Sequence, residues 1–126
     1  NLLLSFFSFL RRERSVVIVD DAQFTRTLGD ILRVRGFAVS EVTDPHSLAE
    51  MLRPDGQVVL LDMKLNEISG LDVFEEVKKR CPRLPVIVVT GYREEMTSAI
   101  EAALKMNAYA CLYKPFEIEE LLQGLE

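Results

Sequence analysis

Asp20, Asp21, Asp62, Thr90 and Lys114 are the side chains whose types and placement suit group transfer. Each follows a short apolar run: VVIV before Asp20 and Asp21, VVLL before Asp62, VIVV before Thr90 and ACLY before Lys114. Brought together, three carboxylates repel, and each resists ionising beside the others. A hard divalent cation or an ammonium relieves that repulsion. Mg2+, or Mn2+ in its place, fits, because it takes one or two carboxylates with waters and substrate oxygens. Lys114 supplies the ammonium and Thr90 a neutral hydroxyl. A carboxylate nucleophile in such company is equipped to accept a phosphoryl group. The surrounding positive charge and donors offset the charge on the equatorial oxygens.

Taken one at a time, the same residues have plainer roles. Asp20, Asp21 and Asp62 could cap the helices that follow strands. Thr90 before Gly91 could be a turn residue, and Lys114 a solvated surface lysine. The joint pattern favours the chemical reading: every member directly follows an apolar run, in the order acid pair, acid, hydroxyl, lysine.

The elements that must position them can be read from the chain. Short runs rich in Val and Ile suit strands buried on both faces, as in a parallel sheet. Ala38–Val42 alternates apolar and polar residues and is expected to be an edge strand. Helical spacing recurs between the runs: Phe24, Leu28, Ile31 and Leu32 with a stop at Gly36; then Leu48, Met51 and Leu52 after Asp44-Pro45. Leu71, Phe74 and Val77 form a third helix ending before Pro82, and Met96, Ile100, Ala103 and Leu104 a fourth. Ile118, Leu121, Leu122 and Leu125 form a fifth, with Glu117, Glu119 and Glu120 in its first turn. Five β-α pairs predict an α/β doubly wound parallel sheet between two helical layers, with right-handed crossovers. In a parallel sheet all the polar terminators lie at one edge, where such folds form their sites.

Composition bounds the rest. The 126 residues make one domain, with 48% hydrophobic and 28% charged residues, so disorder is excluded. Cys81 and Cys111 read as reduced thiols of a cytosolic (cytoplasmic) protein, not as a disulfide framework. Net charge is −5, and no long basic run supports nucleic-acid binding by the bulk of the chain. Residues 1–14, NLLLSFFSFLRRER, stand apart from the domain at 15–126. The apolar stretch is too short to span a bilayer, which takes about 20 helical residues. On a helix it carries a polar stripe of Asn1, Ser5, Ser8 and Arg12. It is a linker or extension, a docking or self-associating helix, or the end of a longer membrane helix.

From about Ser15 onward the chain resembles the receiver domain of two-component response regulators. VVIVDD resembles that family's first strand and acidic pair, and VVLLDMKLNEISGLDVFEEVKK its acceptor strand, loop and third helix, with Gly70 eight residues after Asp62. VIVVTG and YKPF resemble its threonine strand and lysine-proline turn. The resemblance implies the flavodoxin-like strand order 2-1-3-4-5 with five helices. It implies that Asp62 is phosphorylated by a sensor histidine kinase or histidine phosphotransfer domain. It further implies that Asp21 ligates Mg2+ directly, Asp20 mainly through water, and Lys64 through its backbone carbonyl. Thr90 and Lys114 would bind phosphoryl oxygens, with a cis peptide at Lys114–Pro115. Thr90 would then shift a surface of the fourth helix, fifth strand and fifth helix, a possible self-association face. The domain would transfer a phosphoryl group to itself and is not an enzyme turning over an external substrate.

Two positions depart from the pattern. Asn66 stands where the family often has proline, and Cys111 where it usually has an aromatic switch residue; Cys111 is expected to pack as a small hydrophobe. Lys64 and Tyr92 follow Asp62 and Thr90 by two; in the family this chain resembles, such positions tune phosphoryl loss, and the bulky pair implies slow loss. His46 reads as a surface histidine. Two other classes remain: a degenerate receiver acting only as a protein-interaction module, and a nucleotide- or flavin-binding module. The second would want a Gly- or Ser/Thr-rich loop where this chain has DDAQF.

Overall fold

The apolar runs become strands because their side chains are buried on alternating faces of one sheet, all but the half-buried Tyr113 that ends the last run. In the computed structural model, which describes residues 15–54, 56–65, 68–91 and 94–114, the strands are β1 (Ser15–Val19), β2 (Ala38–Val42), β3 (Gln57–Asp62), β4 (Val86–Thr90) and β5 (Ala110–Tyr113). All neighbours pair in parallel, in the order β2-β1-β3-β4-β5. β2 lies at an edge, as its alternating pattern predicts. The helices are α1 (Ala22–Val34), α2 (Pro45–Met51), α3 (Gly70–Arg80) and α4 (Thr97–Lys105).

Two cores follow from the period-2 alternation of strand side chains. Val16, Ile18, Val58, Leu60, Ile87 and Val89 pack under Leu28 and Leu32 of α1. Val17, Val19, Val59, Leu61, Val86 and Val88 pack under Leu48, Phe74, Val77 and Ile100 of α2, α3 and α4. Each such side chain, fully buried, contributes about 1.5–3 kcal/mol. Cys111 is buried in the second core, as a small hydrophobe.

Two helices differ from the sequence expectation. α2 is a 3-10 helix. It opens with Asp44 accepting from the His46 N–H at 3.0 Å and with Pro45 at its start. Seven residues with a single buried anchor, Leu48, give too little packing to hold a regular α-helix. In α4, Ile100 and Ala103 are buried but Leu104 is 45% exposed, so Leu104 is not part of the helix's buried face. The stop after α1 is as expected: Gly36 has φ 94°, a left-handed conformation that glycine adopts without strain. The fifth helix at Ile118–Leu125, the Lys114–Pro115 bond, Asn66, Tyr92 and the segment 1–14 lie outside the described residues.

Candidate functional site

The carboxyl ends of β1, β3, β4 and β5 carry Asp20, Asp62, Thr90 and Lys114 to one edge of the sheet. They surround or underlie a cleft of about 1080 Å3, lined among others by Asp20, Asp21, Asp62, Lys64, Gly91 and Lys114. The cleft sits where the chain order reverses, with β1 flanked by β2 on one side and β3 on the other.

Lys114 is the hub. Its Nζ donates to Asp20 Oδ2 at 2.7 Å and lies 3.7 Å from Asp62 Oδ2. It also sits over the Phe24 ring, 4.0 Å from the centroid, a cation–π contact. Its backbone N–H donates to the Thr90 carbonyl at 2.8 Å, which ties the end of β5 to the end of β4. Phe24 and its contact with Lys114 are not legible in the sequence, where Phe24 is one member of an apolar helical stripe.

Asp20 and Asp62 are buried. Burial is the main force on Asp20; it raises the carboxyl from 3.8 to about 6. The hydrogen bonds from Lys114 and from the Asp21 N–H (2.7 Å to Oδ1) pull the other way, and the nearby Asp62 charge pushes it up again. Asp62 ends β3 and accepts from the Lys64 N–H at 3.0 Å, which holds one of its oxygens at the loop.

Asp21 lies at the same edge but is used differently. Its carboxylate accepts from the Phe24 N–H at 2.7 Å and caps α1. Of the three aspartates, it is the one that acts as a helix cap. Thr90 is fully buried at the end of β4, behind the cleft wall that Gly91 lines. Lys64 points across the cleft mouth, its Nζ 2.7 Å from Glu95 Oε2; Glu95 carries no sequence signal. His46 is exposed at the cleft rim.

Gly70 shapes the loop after Asp62. A Cβ there would overlap the Met63 backbone, so only glycine lets the start of α3 close onto the end of β3. Met63 in turn donates its N–H to the Val89 carbonyl at 2.9 Å. The acceptor loop is thereby clamped between α3 and β4.

Among the described residues no three His, Cys, Asp or Glu side chains form a metal centre by themselves. The donors nevertheless fit a hard cation. Asp20 and Asp62 offer two buried carboxylates around one shared positive charge, the Lys114 ammonium. Mg2+ asks for one or two carboxylates, not a closed protein cage.

A wound parallel sheet with acids, a threonine and a lysine at its carboxyl edge defines a class of α/β signalling domains. The chain belongs to the response regulator receiver domain family, whose model matches residues 16–126. It is 36% identical over 110 residues to the sensory transduction protein RegX3 of Mycobacterium tuberculosis, covering 86% of this chain and 47% of that protein. It is 36% identical over 119 residues to the acid tolerance regulatory protein ActR of Rhizobium meliloti, covering 90% and 58%. The chain thus spans about half the length of such curated relatives.

Solved structures agree. A CheY-like receiver domain protein from Methanospirillum hungatei superposes with TM-score 0.73 at 26% identity, covering 89% of this chain and 90% of that one. A response regulator protein from Burkholderia pseudomallei, crystallised with a phosphorylated aspartic acid, calcium ion and citrate, superposes with TM-score 0.71 at 25% identity, covering 90% and 66%. Among the described residues no helix is long and apolar enough to cross a membrane.

Proposed function

We propose that Asp62 accepts a phosphoryl group from a histidine kinase or histidine phosphotransfer domain, in a step that depends on Mg2+. The observation that carries this reading is the position of Lys114, whose ammonium lies 2.7 Å from Asp20 and 3.7 Å from Asp62 in an open cleft. An Asp62 carboxylate oxygen attacks phosphorus. The P–N bond of the phosphohistidine breaks, and the imidazole departs with the bonding pair and regains a proton from solvent. Lys114 moves from its carboxylates to a phosphoryl oxygen, and the Lys64 N–H keeps the other Asp62 oxygen oriented. Asp20, Asp21, Asp62 and the Lys64 carbonyl would hold the divalent cation, which supplies charge neutralisation for the incoming phosphoryl oxygens.

The signal would leave through Thr90. Its hydroxyl reaches for the new phosphoryl group, and its carbonyl already accepts from Lys114 at the end of β5. That link supports a coupled shift of β4, β5 and α4, the surface on which a partner or a second copy reads the phosphorylated state. The unit doing this is residues 15–126 and acts in the cytoplasm as a switch, without turning over an external substrate.

Acetyl phosphate labelling tests the reading. Incorporation is expected only with Mg2+ or Mn2+ present and is lost in Asp62→Asn. Absence of labelling in the unaltered chain would favour a protein-interaction module instead.

A further inference from the structure

Leu28 and Leu32 of α1 are almost wholly buried, at 3% and 0% exposure, whereas Phe24, one turn earlier in the same apolar stripe, is only half-buried. It packs against the core on the α1 side of the sheet. Its ring also meets the site, because Lys114 Nζ stands 4.0 Å from the ring centroid. The backbone of the same residue is held by a second member of the site: the Phe24 N–H donates to the Asp21 carboxylate at 2.7 Å. Phe24 therefore joins Asp21, through its amide, to Lys114, through its ring.

A phenylalanine here has a plain role as well, at the start of an amphipathic stripe where covering the core is enough. Leucine would serve that role equally, as it does at Leu28 and Leu32. What leucine lacks is a face of negative potential for an ammonium. Lys114 has use for such a face. A lysine ammonium is a compact, strongly hydrated charge on a flexible four-carbon stem. The Lys114 side chain is 22% exposed, so water is within its reach.

The ammonium's short bond is not to the acceptor. It lies 2.7 Å from Asp20 Oδ2 but 3.7 Å from Asp62 Oδ2. Phosphoryl transfer asks Lys114 to give up Asp20 for an oxygen of the group arriving on Asp62. A hydrogen bond is directional and weakens steeply as it bends. Attraction to a ring face is less exacting, since it acts anywhere within about 6 Å of the centroid. The ring can thus hold the ammonium while its hydrogen-bond partner changes.

We infer that Phe24 is a positioning residue for Lys114: its ring keeps the ammonium at the cleft while the ammonium passes from Asp20 to the phosphoryl group on Asp62. This role rests on the reading of Asp62 as the phosphoacceptor. Phe24 acts through Lys114 and not on the reacting atoms. Its ring supplies a non-directional hold that a leucine of similar burial cannot, and its amide keeps the ring in place by tying the first turn of α1 to Asp21.

In the full 126-residue chain, Phe24 is replaced by mono-, di- and trifluorophenylalanine, which keep the ring's shape while draining negative charge from its face. Phe24→Leu and Phe24→Tyr are made beside them. Acetyl phosphate labelling at saturating Mg2+ is expected to slow stepwise with fluorination, by on the order of tenfold in the trifluoro chain and in Phe24→Leu. Phe24→Tyr, which keeps the ring, is expected to retain the rate. The Mg2+ concentration for half-maximal labelling should stay the same throughout, since the backbone N–H on Asp21 is present in every variant. A rate that does not change across the fluorinated series overturns the inference and leaves Phe24 a core residue. So does a loss in Phe24→Leu that Phe24→Tyr shares. The reading of Asp62 fails differently: the unaltered chain then takes no label. In that case the Lys114 ε-methylene proton resonances decide. They are expected upfield in the unaltered chain, from the ring current, and at their ordinary position in Phe24→Leu; ordinary positions in both overturn the positioning role.

Discussion

Lys114 Nζ and Asp20 Oδ2 meet at 2.7 Å although 94 residues of chain separate them. Asp20 directly follows the interior strand β1 and is almost wholly buried, while the Lys114 side chain is 22% exposed and reaches in from beyond β5. Two strands, β3 and β4, lie between their elements. The pair closes the cleft floor and sets the charge that Asp62 faces.

Removing the ammonium tests the pair. Lys114→Met leaves Asp20 and Asp62 opposed without a cation. Breaking a buried pair costs about 3–5 kcal/mol, and the partial exposure of Lys114 brings the expected loss to about 1–3 kcal/mol. The loss should shrink as pH falls below about 6, where Asp20 takes up a proton. Urea unfolding at pH 5 and pH 7.5 measures both.

The raised Asp20 carboxyl gives a pH dependence with a definite sign. Its folded value, about 6, is above its ordinary 3.8, so the folded state binds the extra proton between these values. This group's contribution therefore favours folding at low pH and declines as pH rises through that window. A divalent cation competes with the same proton. Mg2+ is expected to raise the melting temperature at pH 7.5, with the increment vanishing below about pH 5. An increment that grows on acidification would contradict the placement of the cation at Asp20.

Asp21 combines a cap with a carboxylate, and the two can be separated. Asp21→Ala loses the hydrogen bond from the Phe24 N–H and should cost about 1 kcal/mol. Asp21→Ser restores a capping oxygen and should return most of that stability. Both should weaken Mg2+ binding alike, as read by the metal concentration needed for half-maximal labelling. If Asp21→Ser labels like the unaltered chain, Asp21 is a cap alone.

Gly70→Ala forces a methyl group into the Met63 backbone. The loop after Asp62 must move away from α3, at a cost of about 1–3 kcal/mol. Because the Lys64 N–H on Asp62 moves with that loop, labelling should slow even at temperatures where the domain remains folded. Thermal melts alongside labelling rates check this.

Much of the fold was legible in the sequence because burial on both faces of a parallel sheet leaves a local mark. VVIV, VVLL and VIVV are continuous apolar runs since no side chain in them meets water. AVSEV carries polar residues because β2 is an edge strand: Ala38 is exposed, Val39, Ser40 and Glu41 are half-buried, and Val42 is buried. The short helix after Asp44-Pro45 was visible as a helix but not as a 3-10 helix, since one buried leucine leaves no periodicity to distinguish the two. Leu104 misled for a related reason: helical spacing shows which residues share a stripe, not how far the core extends beneath it.

The sequence by itself determined the element order, the parallel sheet and the edge at which Asp20, Asp21, Asp62, Thr90 and Lys114 end their strands, because hydrophobic periodicity and chain connectivity are local properties. Only the tertiary structure decided how those residues divide their work. Asp20 rather than Asp62 takes the short bond to Lys114, Asp21 turns to cap α1, Phe24 lies under the ammonium, and Lys64 reaches Glu95 across the cleft mouth. These are contacts between side chains from different strands and loops. They depend on distances of a few ångströms set by sheet register and helix placement, and no spacing along a single segment of chain encodes them.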